Sequence, residues 1–117
     1  MAPIPESIVL HQVSRVLELV YSGDKAYTLS FEFLRVHSPS AEVQGHGPGQ
    51  QVLQTGKRLV GIERLEQVGN YALRPVFTDG HDSGLYSWDL LYRFTQQQQA
   101  LWDDYLLRLR AAGASRD

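Results

Sequence analysis

Cysteine is absent from the 117 residues. That excludes disulfides, thiolate nucleophiles and every thiolate metal site. A basic stripe is absent too: 11 Lys and Arg stand against 13 Asp and Glu, for a net charge of −2. Phosphate backbones are held by concentrated positive charge, so nucleic acid is not expected as a partner. No apolar run approaches the roughly eighteen residues of a membrane span, so no membrane is expected either. The start, MAPIPESIVLHQ, lacks a cationic segment followed by an apolar one. No secretory signal is read there, and the cytoplasm is the expected compartment. What remains is ordinary globular material, 43% apolar and 21% charged. The length suits a single domain over 1–117 with a real core.

Two passages resemble each other, LELVYSGDKAYTLSFEFLRV at 17–36 and LRPVFTDGHDSGLYSWDLLYRF at 73–94. Each begins with an alternating stretch that ends on an aromatic, Tyr21 or Phe77, and turns at Gly23-Asp24 or Asp79-Gly80. Each then runs through a second short stretch into serine, aromatic, acid: Ser30-Phe31-Glu32 and Ser87-Trp88-Asp89. Serine ahead of an acid and an apolar cluster reads as a helix N-cap, with the carboxylate near the positive helix end. The expectation is two strand–turn–strand–helix units. Residues 58–67 read as a further strand, and Gly69-Asn70 as the hairpin leading into a strand over 71–77. Pro75 cannot donate to a ladder, so that strand is expected at an edge or with an irregular end. Residues 37–57, rich in Gly, Pro and Gln, form the longest irregular segment. Leu91, Phe94, Gln98, Leu101, Tyr105 and Leu109, widened by Trp102 and Leu106, follow helical spacing. Either one helix runs from about 88 to 110 or it breaks near Gln96–Gln99, with Ala111-Ala112-Gly113 as its end. The fold class is therefore α+β: small twisted antiparallel sheets from the two units plus a C-terminal helix. The core is expected over about 7–94, the helix over about 95–111 and a polar tail over 112–117.

The run Asp79-Gly80-His81-Asp82-Ser83-Gly84 sets an imidazole between two carboxylates on a glycine-flanked turn. It reads as a metal ligand or general base, or as a turn with Asx-type hydrogen bonds; spacing alone favours the turn. The other histidines, His11, His37 and His46, give no H-x-x-x-H or H-E-x-x-H spacing. His37 and His46 could approach His81 in space and form an oxygen- and nitrogen-rich site open to iron or zinc. Ser83 and Ser87 lie near His81 without a G-x-S-x-G elbow. Gly45-His46-Gly47-Pro48-Gly49 is not a phosphate loop, because no Lys-Ser/Thr pair comes after it. The helical stripe is first a docking face for the sheet. Its aromatics Trp102 and Tyr105 are also anchor types for a partner or a second copy.

The run from Val68-Gly69-Asn70-Tyr71 through Asp79-Gly80-His81-Asp82-Ser83-Gly84-Leu85-Tyr86-Ser87-Trp88 resembles the γ-butyrobetaine hydroxylase-like N-terminal domain family. Phe33-Leu34-Arg35 and Leu17 to Leu29 fit as well, so the likeness covers roughly 7–94. In the hydroxylase this domain precedes an iron- and 2-oxoglutarate-dependent catalytic domain. It carries a structural zinc on three cysteines and a distant histidine. The resemblance places those cysteines on Ser38, Ser40 and Val43 and the histidine on His81. Three thiolates are missing, so the family's zinc is not expected here and no cofactor is expected. The chain ends after one small domain, so hydroxylase activity is not carried over. The family also occurs as stand-alone bacterial proteins and fused to P-loop iron–sulfur cluster carrier ATPases. This chain is similar to the stand-alone type.

The expected function is a non-catalytic binding or adaptor module, monomer or weak homodimer, that contacts a larger protein. The expected surface comprises Asp79, His81, Asp82, His46, Trp102 and Tyr105. The alternative is an iron- or zinc-binding accessory protein using His81, linked to iron–sulfur or oxygenase chemistry. An independent enzyme with His81 as general base needs a pocket that the residues do not announce.

Overall fold

The computed structural model describes residues 2–45, 47 and 49–117. The first sheet is an antiparallel meander of β1 (Ser7–His11), β2 (Val16–Tyr21) and β3 (Lys25–Ser30). The alternation read in β2 fixes its face: Leu17, Leu19 and Tyr21 are buried, and Leu17 and Leu19 pair with Leu29 and Tyr27 of β3. The hairpin turns where Gly23 and Asp24 take left-handed φ of 78° and 59°, the conformations that Gly and Asp tolerate best. Strand β1 is not legible in the sequence. Its Ile8-Val9-Leu10 run has no clean period, and only pairing against Leu17 and Leu19 reveals that Ile8 and Leu10 face inward.

The helix α1 (Phe31–Val36) continues directly from β3, and α2 is a single turn at Ala41–Gln44 inside the segment read as irregular. The second sheet is β4 (Ile62–Val68), β5 (Ala72–Phe77) and β6 (Tyr86–Ser87), in that order. β4 starts later than the expected 58, because Lys57–Gly61 is taken up by a turn closed from Val60 N to Lys57 O and by Gly61 N donating to Thr78 Oγ1 at 2.8 Å. Although β5 is the middle strand, β6 pairs only with Ala72 and Leu73. Pro75 therefore has one ladder neighbour, Leu65, and behaves as an edge position.

The helix α3 runs unbroken over Trp88–Ala111. The starts of α1 and α3 obey the serine code: Ser30 Oγ accepts from Phe33 N at 3.0 Å and Ser87 Oγ accepts from Leu90 N at 3.1 Å, whereas Ser40 ahead of α2 makes no such bond. The two-unit α+β expectation thus holds. The core lies between the sheets and α3: Leu17, Leu19, Leu29, Phe31, Phe33, Ile62, Phe77, Tyr86, Leu91 and Phe94. Burying each such side chain stabilises by roughly 1.5–3 kcal/mol before chain entropy is subtracted. A smaller cluster joins Val36, Tyr105 and Leu109 with Leu53. The polar tail docks rather than trailing. Gly56 N and Arg58 N donate to the carbonyls of Ser115 and Arg116, both at 3.0 Å. Arg116 forks onto buried Glu32 at 2.8 and 2.6 Å, its guanidinium 5.2 Å from the Trp102 ring centre.

A sealed serine–histidine cluster and an open groove

The turn after β5 closes on itself. Phe77 N donates to His81 O at 3.0 Å, Gly80 N to Phe77 O at 3.1 Å, and His81 N to Asp79 Oδ1 at 3.2 Å. Gly80 supplies a φ of 88°. These bonds turn the His81 ring inward, leaving the residue 6% exposed. Nε2 lies 2.8 Å from Ser38 Oγ and 3.5 Å from Ser40 Oγ, and Nδ1 lies 3.4 Å from Glu42 Oε2. Gly84 makes the space: a Cβ there would sit 2.6 Å from Ser38 Oγ. Burial, reinforced by the Arg35 charge, pushes the His81 pKa below its ordinary value, and the Glu42 and Asp79 carboxylates oppose without reversing it.

Asp79 does not join this ring. Its Oδ2 accepts from Arg35 Nε and Lys57 Nζ, each at 2.9 Å. Burial raises its carboxyl, but hydrogen bonds from Lys57, the His81 backbone and Arg35 outweigh that and hold it below the usual carboxylate range. Asp82 is exposed. His46 lies outside the described residues. Tyr105 is buried, donating its hydroxyl to Gln54 O at 2.7 Å, and Trp102 is half-buried against Phe33 and Arg116. Tyr105 thus packs inside the molecule and is no exposed anchor, while Trp102 keeps part of its ring at the surface beside Gln98 and Gln99.

Ser38, His81 and Glu42 stand in the order nucleophile, base, acid. Acyl transfer needs a carbonyl carbon within about 3 Å of the nucleophilic oxygen and donors for the oxyanion. Ser38 is 0% exposed, and its Oγ is already engaged by His81 and by Ser40 N at 3.3 Å. Ser38, Ser40 and His81 form a buried hydrogen-bonded network, with the exposed Glu42 carboxylate at its rim. The network also fails as a zinc cage. The three positions Ser38, Ser40 and His81 do converge, but they offer two neutral hydroxyls and one imidazole, and Val43 offers no donor. Among the described residues no group of three His, Asp or Glu is gathered closely enough to hold a metal ion.

On the other side of Pro39 and Val43 lies a groove of about 410 Å³ between α3 and the 36–52 segment. Its floor is Val36, Val43, Leu90, Phe94 and Leu101; Arg93, Asp104 and Arg108 edge it along α3, and Gln44, Gln51 and Val52 edge it opposite. His37 is at its base. Nδ1 lies 2.9 Å from Phe33 O and donates to it, the ring centre is 4.3 Å from that of Phe33, and burial lowers its pKa. Sequence reasoning missed this groove, together with Glu42, Arg35 and Lys57. Its walls come from segments far apart in the chain, and Arg35 meets Asp79 across 44 residues.

Two three-stranded meanders, one long helix, a closed polar cluster and an open groove define a small α+β fold with no exposed catalytic constellation among the described residues. The chain belongs to the family described as gamma-butyrobetaine hydroxylase-like, N-terminal, which matches residues 8–92. A protein solved in solution by NMR is 54% identical with a TM-score of 0.87, over 100% of this chain and 92% of that one. A second NMR structure is 52% identical with a TM-score of 0.82, over 97% and 85%. A crystal structure from Acidithiobacillus ferrooxidans, of a protein of unknown function in the DUF971 family, is 34% identical with a TM-score of 0.66, over 79% of this chain and 92% of that one. No curated protein matches. No helix among the described residues is long and apolar enough to cross a membrane.

Proposed function

We propose that this chain is a non-catalytic protein-binding module whose contact surface is the groove along α3. The observation that carries this reading is the contrast between the two polar features. The serine–histidine–acid constellation is sealed at Ser38, while the groove presents an apolar floor with polar and charged rims. That composition, an apolar centre with a polar rim, is what protein contact surfaces use. The lining on α3 runs from Leu90 to Arg108, about 27 Å of helix, enough for an extended segment of roughly eight residues. Val52, 54% exposed on the far wall, is the place to test it. A photo-crosslinker at Val52 in the native cell is expected to capture one defined protein at near-stoichiometric yield, and Val52→Glu is expected to abolish its co-purification. A chain that stays unpartnered and captures only scattered abundant proteins would sink the reading.

The competing reading, an iron- or zinc-binding accessory protein, rests on His81, whose Nδ1 lies 3.4 Å from Glu42 Oε2. It is tested by the metal content of tag-free protein purified without oxygen, beside His81→Ala. Equal trace metal in both is expected. Near-stoichiometric iron or zinc that disappears in the variant would put the metal role first.

A further inference from the structure

One side of α3 carries a pattern that the core leaves mostly exposed and that meets the edge of the groove at Leu90, Arg93 and Asp104. The side chains that pack inward from this helix are Leu91, Phe94, Thr95, Tyr105 and Leu109. On another side run Leu90, Arg93, Gln97, Ala100, Asp104 and Leu107, spaced alternately by three and four residues. Of these only Leu90 is half-buried, and the rest are exposed. Alternating three- and four-residue spacing keeps one stripe facing a second helix that crosses at about 20°.

The stripe is self-complementary when reversed. An antiparallel copy turned about a two-fold axis between Gln98 and Gln99 brings Leu90 opposite Leu107, Arg93 opposite Asp104 and Gln97 opposite Ala100. The symmetry makes each pairing twice. Arg93 has only Gln97 as a side-chain partner among the described residues, at 3.3 Å. Asp104 holds Arg108 of its own helix at 3.1 Å, in an exposed pair that leaves a carboxylate oxygen to share. Leu107, 59% exposed, has no role in the core, and Ala100 at the centre lets two backbones come close. We infer that this face of α3 binds a second copy of the same chain, as an antiparallel helix pair held by leucines at both ends and by reciprocal Arg93–Asp104 ion pairs.

The contact is small. The stripe spans about 26 Å of helix and is roughly 10–12 Å wide, so each copy covers about 300 Å², well below the ~800 Å² per partner of a stable interface. The dimer is therefore weak and concentration-dependent. This inference goes beyond the binding-module reading and does not rest on it: the two surfaces share Leu90, Arg93 and Asp104, but Val52→Glu changes only the groove's far wall, and Gln97, Ala100 and Leu107 belong to the stripe alone.

Sedimentation of the wild-type chain from about 10 µM to about 1 mM tests it. The mass is expected to climb toward that of a dimer. Asp104→Arg sets like charges opposite each other and is expected to weaken association at least tenfold. Adding Arg93→Asp to it restores the opposite-charge pairs and is expected to restore association. Because the chain has no cysteine of its own, an equimolar mixture of the single variants Gln97→Cys and Ala100→Cys is expected to oxidise preferentially to the mixed intermolecular disulfide dimer, while Gln99→Cys, off the stripe, is not. Circular dichroism reports whether each variant keeps its fold. A wild-type chain that stays monomeric at 1 mM, a charge swap that fails to rescue, or equal crosslinking from Gln99→Cys would overturn the inference.

Discussion

His81 and His37 both lose proton affinity on folding, because burial disfavours the imidazolium. In the unfolded chain each titrates near its ordinary 6.5. Between that value and their lower folded values the unfolded state binds more protons. The stability they confer is thus fully present above about pH 6.5 and lost as pH falls through the window below it. Urea midpoints measured from pH 7.5 down to 5 are expected to fall, and His81→Gln is expected to flatten part of that slope. Asp79 adds a second loss at lower pH, since its folded carboxyl titrates below the usual range. The space around His81 is equally specific. Gly84→Ala drives a methyl to 2.6 Å from Ser38 Oγ and 3.1 Å from the Tyr86 ring, with an expected cost of about 1–3 kcal/mol. Ser38→Ala leaves His81 Nε2 without its 2.8 Å partner and is expected to cost about 1–3 kcal/mol. Because both changes act on one contact, the double variant is expected to be less destabilised than their sum, as a double-mutant cycle in urea would read.

At the scale of elements, α1 and α3 start by the same device, and the sequence shows it. Ser30→Ala and Ser87→Ala remove the hydroxyls that hold Phe33 N and Leu90 N, each at a cost of about 1 kcal/mol in thermal or urea unfolding. The two helices differ in length beyond that shared cap. α1 stops at Val36, where the chain turns into the Ser38–Pro39–Ser40 corner, while α3 continues to Ala111. The C-terminal strap makes a sharper prediction. Arg116→Ala strands the Glu32 carboxylate, 7% exposed, without its forked partner. A loss of roughly 2–3 kcal/mol is expected, more than the usual surface ion pair is worth. Hydrogen exchange should show the amides of Gly56 and Arg58, which bond the tail carbonyls, losing protection together. An Arg116→Ala chain with unchanged exchange at both amides would show that the strap does not depend on the pair.

Across the whole molecule, the leucines and aromatics of both sheets meet in one core, and changes there act on everything. Leu19→Ala, at a fully buried position facing Tyr27 and Ile8, is expected to cost about 2–5 kcal/mol and to weaken the groove and the polar cluster together. Val52→Glu, by contrast, is expected to leave stability within about 0.5 kcal/mol, since Val52 is 54% exposed on the groove wall. Comparing the two separates loss of contact from loss of fold.

The sequence by itself determined what is local. The alternation of Leu17, Leu19 and Tyr21, the Gly23-Asp24 and Asp79-Gly80 turns, the serine caps and the helical stripe of α3 each depend on residues within a few positions of one another, so backbone preference and periodicity suffice. It also placed the family, through the run from Val68 to Trp88. The tertiary structure decided what depends on long closures. That Ile8 and Leu10 form an inner strand needed β2 beside them. That Asp79 faces Arg35 and Lys57, while His81 faces Ser38, Ser40 and Glu42, needed the turn after β5 to dock on the corner after α1. That Tyr105 turned inward and Leu107 outward needed the second cluster at Val36 and Leu53 to claim one side of a helix whose periodicity left both sides open. Periodicity names which residues share a face; only packing against distant segments says which face is covered.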